Sequence, residues 1–266
     1  MKLARINLPD SRPYAWVDTA AGLVFPLSGD LFAADADPAA TEPGESIDYD
    51  SVELLAPCRP SKVIAVAKNY AKHAEEMHGE VPPTPVLFFK TPNTVVGPGH
   101  PIVRPRWAEI VHYEGELAVV IGTRAKDIPA ERAWDVIAGF TCANDVSVRD
   151  AQRSDGQWAR AKGFDTACPL GPWIVPVEEW QRGPKQVTTR VNGEIVQDGS
   201  TGDMVRGIEE LIAYASAAFT LMPGDVILTG TPAGVGPIVS GDTVTVHVED
   251  IGELENPVVD DGECSC

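Results

Sequence analysis

The run His112-Tyr113-Glu114-Gly115-Glu116-Leu117-Ala118-Val119-Val120-Ile121-Gly122 constrains the fold of this chain more than any other segment. Read as a strand, it puts Val111, Tyr113, Leu117, Val119 and Ile121 on one face and Glu114, Glu116, Ala118 and Val120 on the other. Both faces are mostly apolar, so the strand is expected to be buried on both sides. The two acids share a face with Cα atoms about 6–7 Å apart, where carboxylates repel each other and are poorly solvated. A bound cation removes both costs. An E-x-E pair at a strand end that emerges into water needs no such partner, so a second feature has to decide. Segment 137–144 is another apolar strand and runs straight into Asp145. An acid there can cap the following helix, and it is also placed to complete a carboxylate triad. Three oxygen donors without His or Cys suit Mg²⁺, Mn²⁺ or Ca²⁺ better than zinc or copper.

Further strand-like runs fall at 62–67, 86–90, 173–177, 187–191, 225–229 and 243–248, against helical patterns at 70–78, 130–136, 148–160 and 204–221. Strands do not alternate regularly with helices, so a doubly wound parallel sheet is a poor match and an α+β, mainly β fold is expected. Residues 2–27 alternate apolar and polar positions between turn signals and read as a small β-rich appendage. The acidic, Ala- and Pro-rich stretch 33–50 reads as its linker, giving an N-terminal unit 1–53 and a main domain 54–266.

At 266 residues and 44% apolar content, the chain can bury a substantial core without staples. Its five cysteines, Cys58, Cys142, Cys168, Cys264 and Cys266, show no pairing pattern beyond the terminal C-S-C, which points to a reducing, cytoplasmic setting. No apolar run follows the N-terminal charges, and the longest one, about 211–222, ends at Pro223-Gly224-Asp225, so neither secretion nor membrane insertion is expected. A formal charge of −18 argues against nucleic acid. It also demands that any site for an anionic substrate supply its own positive charge. Arg160 and Lys162, in the Gly- and Pro-dense segment 156–172, are candidates for that charge.

Two weaker signals remain. On a helix, His73 and Glu76 face together, so Glu76 can orient the imidazole for activating a water; the same spacing also describes an ordinary surface pair. The loop 229–236, T-G-T-P-A-G-V-G, has the glycines to gather backbone N–H groups around an anion but lacks the lysine and helix of a phosphate loop.

In order along the chain, K-N-Y-x-x-H-x-x-E-M (68–77), Y-E-G-E-L-A-V-V-I-G (113–122), N-D-V-S-x-R-D (144–150), G-Q-W-x-R-A-K-G-x-D-T (156–166), P-G-D-x-I-L-T-G-T-P-A-G-V-G (223–236) and N-P-V-V (256–259) resemble the fumarylacetoacetate hydrolase superfamily. The resemblance implies that family's mixed β-sandwich roll and a homodimer, with Mg²⁺ or Mn²⁺ on Glu114, Glu116 and Asp145. It also implies a water-activating dyad of His73 and Glu76, a polarising Lys162, and substrate contacts from Arg149, Gln152 and Thr231. The chain is shorter than the namesake enzymes and looks like the short bacterial branch. That branch resembles acylpyruvate hydrolases, oxaloacetate decarboxylases, and the 2-hydroxyhepta-2,4-diene-1,7-dioate isomerases and 5-oxopent-3-ene-1,2,5-tricarboxylate decarboxylases of aromatic catabolism. The expected activity is hydrolytic C–C cleavage of a small 2,4-diketo acid through an enolate, with decarboxylation or isomerisation as alternatives. A structural protein whose acids merely hold Ca²⁺ is the non-enzymatic alternative, and the dyad beside the triad speaks against it.

Overall fold

A computed structural model describes residues 1–33 and 41–262; part of the expected linker and the terminal Cys264 and Cys266 lie outside them. The chain runs through β1 (Lys2–Asn7), β2 (Tyr14–Asp18), β3 (Leu23–Pro26), β4 (Ile47–Asp48), β5 (Glu53–Leu55), β6 (Val63–Ala67), α1 (Ala71–Glu76) and β7 (Val86–Lys90). It continues through β8 (Val95–Val96), β9 (Ile102–Arg104), β10 (Val111–His112), β11 (Gly115–Ile121), β12 (Ile137–Asn144), β13 (Ser147–Val148), α2 (Arg149–Ser154) and α3 (Ala159–Gly163). It closes with β14 (Cys168–Pro176), β15 (Gln186–Val191), β16 (Glu194–Ser200), α4 (Ile208–Ala218), β17 (Val226–Leu228), β18 (Thr243–Val248) and β19 (Gly252–Asp260).

One large sheet has the order β4-β3-β2-β1-β14-β12-β11-β17-β6-β7, with β5 on β1 and β8 on β14. A second has the order β16-β15-β18-β19-β9, and β10 with β13 forms a short ribbon. The strands β11, β12 and β14 pack against β15, β18 and β19, so the architecture is strand-dominated, as the sequence pattern indicates. The N-terminal hairpin strands extend the large sheet through antiparallel pairing of β1 with β14. The stretch read as a linker contains β4 and a turn of 3₁₀ helix, Tyr49–Ser51.

All of β11 is buried, and its two faces feed different clusters. Leu117, Val119 and Ile121 join Phe140, Val187, Val246 and Leu254 between the sheets, while Ala118 and Val120 pack with Val63, Leu170 and Leu228 on the far side. The predicted unbroken strand 112–122 is in fact two, because Tyr113 and Glu114 separate β10 from β11. The helix predicted over 148–160 is likewise broken: Asp155 takes extended backbone, and α3 starts afresh after Trp158. Residues 130–136 form 3₁₀ rather than α-helix.

Candidate active site

The central acids meet through strand pairing. In the β11–β12 register Gly115 lies opposite Asn144, so Glu114 and Asp145 flank the ladder at the same level. Asp145 N donates to Glu114 O at 2.8 Å, and Asn144 Oδ1 accepts from Glu114 N at 2.9 Å. Glu116 follows two residues along the same face. Ligand oxygens of Glu114, Glu116 and Asp145 lie within 4.8 Å of one another, and the residues are 5%, 2% and 1% exposed. Gly115 is the residue that lets the second sheet approach here. A Cβ at this position would fall 2.1 Å from Thr189 Oγ1, and Gly115 N donates to Gln197 Oε1 at 2.9 Å.

Three buried cations surround the acids. Lys162 Nζ, carried by α3, donates to Glu114 Oε2 at 2.8 Å and Asp145 Oδ2 at 2.6 Å. Arg149 Nη2, at the start of α2, donates to Glu114 Oε1 at 2.6 Å, and its Nη1 donates to Gln152 Oε1 at 2.8 Å. Lys90 at the end of β7 is fully buried, with Nζ 2.7 Å from Asp145 Oδ1 and donating to Val146 O. Sequence reasoning missed Lys90. Its only signal was a lysine closing an apolar strand, Val86-Leu87-Phe88-Phe89-Lys90. Arg160, offered beside Lys162 as site charge, instead pairs with Asp155 and stacks its guanidinium over Trp107, out on the surface. The reason is helical phase: on so short a helix, residues two apart point to opposite sides.

Burial acts to raise the Glu114 carboxyl, but Lys162 and Arg149 override it and hold the group below its ordinary range. Glu116 goes the other way: burial, then the neighbouring Asp145 and Glu114, push it well above the ordinary value, opposed by Lys162 and the N–H of Gly230, which donates to its Oε2 at 2.7 Å. An acid so placed lacks a cation of its own, and that deficit, with the all-oxygen donor set, fits a hard divalent metal such as Mg²⁺ or Mn²⁺.

The acids line a cavity of about 240 Å³ that also admits His73, Arg149, Gln152, Lys162 and Thr231. Besides Arg160, the one residue expected at the site that does not line this cavity is Glu76, whose Oε2 lies 3.3 Å from His73 Nδ1. Gly234 N donates to both Glu76 oxygens, at 3.1 and 3.2 Å, so the 229–236 loop steadies the dyad. The Thr231 hydroxyl donates to Gly115 O and accepts from Gln197 Nε2, which ties it to the carboxylate strand. Lys68 and Arg153 complete the cationic lining and, among the described residues, pair with no acid.

Residues 62–259, which carry this whole arrangement, match the family model described as fumarylacetoacetate (FAA) hydrolase C-terminal. The chain belongs to the fumarylacetoacetate hydrolase family. Residues 1–57 match a second family model, Rv2993c-like, N-terminal. Protein Rv2993c of Mycobacterium tuberculosis is 47% identical over 264 residues, covering 99% of this chain and 100% of the relative. Oxaloacetate tautomerase Fahd2a, mitochondrial, of Rattus norvegicus is 45% identical over 80% of this chain and 71% of its own length. The crystal structure of 2-hydroxyhepta-2,4-diene-1,7-dioate isomerase from Mycobacterium marinum superposes with a TM-score of 0.87 at 43% identity, covering 98% and 99% of the two chains. Maleylpyruvate hydrolase from Sphingobium sp. SYK-6, solved in complex with manganese(II) ion and pyruvate, gives a TM-score of 0.78 at 31% identity over 98% and 99%. Family members with these names include an isomerase, a tautomerase and a hydrolase, so membership fixes the scaffold and leaves the reaction open.

Proposed function

We propose that this protein is a divalent-metal-dependent enzyme that hydrolytically cleaves a C–C bond in a small 2,4-diketo acid, an acylpyruvate-like substrate bearing a second carboxylate. The observation that carries this reading is the His73–Glu76 pair, with the imidazole on the same cavity as the acid triad and its Nδ1 facing the carboxylate. Glu114, Glu116 and Asp145 would hold Mg²⁺ or Mn²⁺, as the manganese-bound maleylpyruvate hydrolase suggests. When bound, the ion supplies Lewis acidity and a template for the substrate's carboxylate and 2-oxo oxygens. Lys162 Nζ, on the same cavity beside Glu114 and Asp145, would meet the negative charge that develops on the substrate oxygen. His73 takes the proton of the attacking water, and Glu76 stabilises the imidazolium that results.

Charge supports the second carboxylate. Lys90, Arg149 and Lys162 offset the combined formal charge of Glu114, Glu116 and Asp145, so a divalent ion would leave the cavity positive even before Lys68 and Arg153 are counted, an excess that a dianion balances. Lys68 and Arg153, also on the cavity, are placed to receive the distal group. A second reading, enol–keto tautomerisation of oxaloacetate, draws on the rat relative's name and requires no water attack.

The test gives wild type and His73→Ala acetylpyruvate, maleylpyruvate and oxaloacetate with Mg²⁺ or Mn²⁺. Hydrolysis by wild type should exceed that of the variant by about 10²–10⁴-fold in kcat, the usual contribution of a general base. If wild type cleaves neither pyruvate derivative but speeds decay of the oxaloacetate enol, the tautomerase reading replaces the hydrolase.

A further inference from the structure

The N-terminal strands hold a concentration of positive charge that the acid triad and its cavity do not explain. In the first 59 residues there are four basic side chains, Lys2, Arg5, Arg12 and Arg59, against ten acids, and three of the four open onto one cavity. Arg5 comes from β1, Arg12 from the turn between β1 and β2, and Arg59 from the segment leading into β6. The cavity measures about 400 Å³ and is bordered by Ser11, Tyr14 and Asp30. Clustering so few cations against each other is unfavourable unless an anion lies between them.

Arg5 is the decisive member. The residue is 6% exposed, yet among the described residues its guanidinium makes a single hydrogen bond, from Nη1 to Ala56 O at 3.0 Å, and lies 5.8 Å from the Tyr14 ring centroid. Among the described residues no carboxylate forms an ion pair with Arg5, Arg12 or Arg59. Asp30, the one acid on the cavity, accepts from Phe32 N through Oδ1. Burial, then Arg59, lowers the proton affinity of Arg5, opposed by Tyr14, Cys58 and Asp30.

We propose that this cavity is a binding site for a small, multiply charged oxyanion, a phosphoryl compound or a polycarboxylate, held by Arg5, Arg12 and Arg59. Guanidinium forks match the oxygens of both chemistries, and the hydroxyls of Ser11 and Tyr14 add donors. Because the arginines come from β1, the β1–β2 turn and the approach to β6, a bound anion ties the N-terminal strands to the segment that enters the large sheet's central part. The site is independent of the reaction proposed above.

Calorimetric titration of metal-free full-length protein with inorganic phosphate, pyrophosphate and citrate tests it, alongside the Arg12→Gln/Arg59→Gln variant. Wild type should bind pyrophosphate or citrate saturably, one per chain, and whichever binds tighter identifies the chemistry. The double variant should bind at least about tenfold more weakly, the loss expected for one charge-assisted hydrogen bond. Both replaced side chains are exposed, so the variant should fold, and with repulsion relieved its melting temperature without anion should equal or exceed that of wild type. The proposal is overturned if wild type binds none of the three probes, or if the double variant binds them as tightly as wild type.

Discussion

Glu116 is where the electrostatics of the acid cluster are least comfortable. Its carboxyl, pushed upward by burial and by Asp145 and Glu114, holds a proton in the metal-free protein across a range where an unfolded glutamate has lost it. A raised acid of this kind lowers stability as pH climbs above the ordinary carboxylate range, because the unfolded chain releases its proton first. Glu116→Gln imitates the protonated form and can still accept from Gly230 N. The metal-free variant should therefore melt at or above the wild-type temperature, while the stabilisation by Mn²⁺, about 2.7 kcal/mol at a hundredfold excess over Kd, should vanish. A Mn²⁺ shift of wild-type size in the variant would remove Glu116 from the ligand set. His112 offers a second residue-level test. Burial, then Arg149, pulls its imidazole down to about 4; Arg153 adds to this, while Glu114 and Glu76 oppose it. Folded His112 is thus neutral where the unfolded residue, near 6.5, takes a proton. Its contribution is complete above about pH 6.5 and is lost as pH falls toward 4. Its Nδ1 is buried and, among the described residues, has no hydrogen-bond partner, so His112→Leu strands no neighbour there. Denaturant midpoints should fall less steeply from pH 6.5 to 4 in the variant than in wild type; parallel curves would contradict the assignment.

At the scale of elements, Glu116 on β11 and Glu114 just before it face the cavity while the strand's other face is pressed against β15 and β18. Gly115 sits at that contact, under Thr189 Oγ1, whose own bond to Gln197 Oε1 at 2.8 Å links β15 to β16. Gly115→Ala places a methyl where an oxygen already is, and overpacking of this kind costs about 1–3 kcal/mol. Separation of the sheets here also displaces Glu114 and Glu116. Urea unfolding should show the loss, and the Mn²⁺-dependent stabilisation should shrink with it. Full retention of both would show that the sheet contact does not position the acids. The same logic explains α2 and α3: a continuous helix over 148–160 would carry Lys162 away from Asp145, whereas the break at Asp155 lets α3 turn it back.

For the whole molecule, the large sheet ends at β7, whose outer edge has no strand beside it among the described residues. Val86 and Phe89 on this strand are each 42% exposed, and Phe89 stacks edge-on with Phe219 at 4.9 Å. Bare apolar edges invite pairing, and we propose that a second copy covers this one, in keeping with the homodimer implied by the family resemblance. Light scattering should give twice the chain mass of 28.4 kDa for wild type and a monomer for Val86→Lys/Phe89→Glu. A monomeric wild type at micromolar concentration would end that proposal. No helix among the described residues is long and apolar enough to cross a membrane.

Much of this is legible in the sequence. The alternation through 113–121 determined which face each residue takes, because side chains in a strand must alternate, and Leu117 and Ala118 do fall in different cores. Strand limits at 86–90, 137–144 and 243–248 agree with the pattern because each is bounded by turn-forming residues. The acids, the His73–Glu76 spacing and Lys162 could be named from the order of motifs. Lys90 could not, since a lysine closing a strand looks the same in sequence whether its ammonium reaches water or a buried carboxylate. Arg5, Arg12 and Arg59 gave no signal either, being separated along the chain and joined only by sheet pairing. The sequence determined local periodicity and the chemical inventory, which depend on near neighbours. Only the tertiary structure decided which charges meet, because the Coulomb and desolvation terms that set their behaviour depend on distances between segments far apart in the chain.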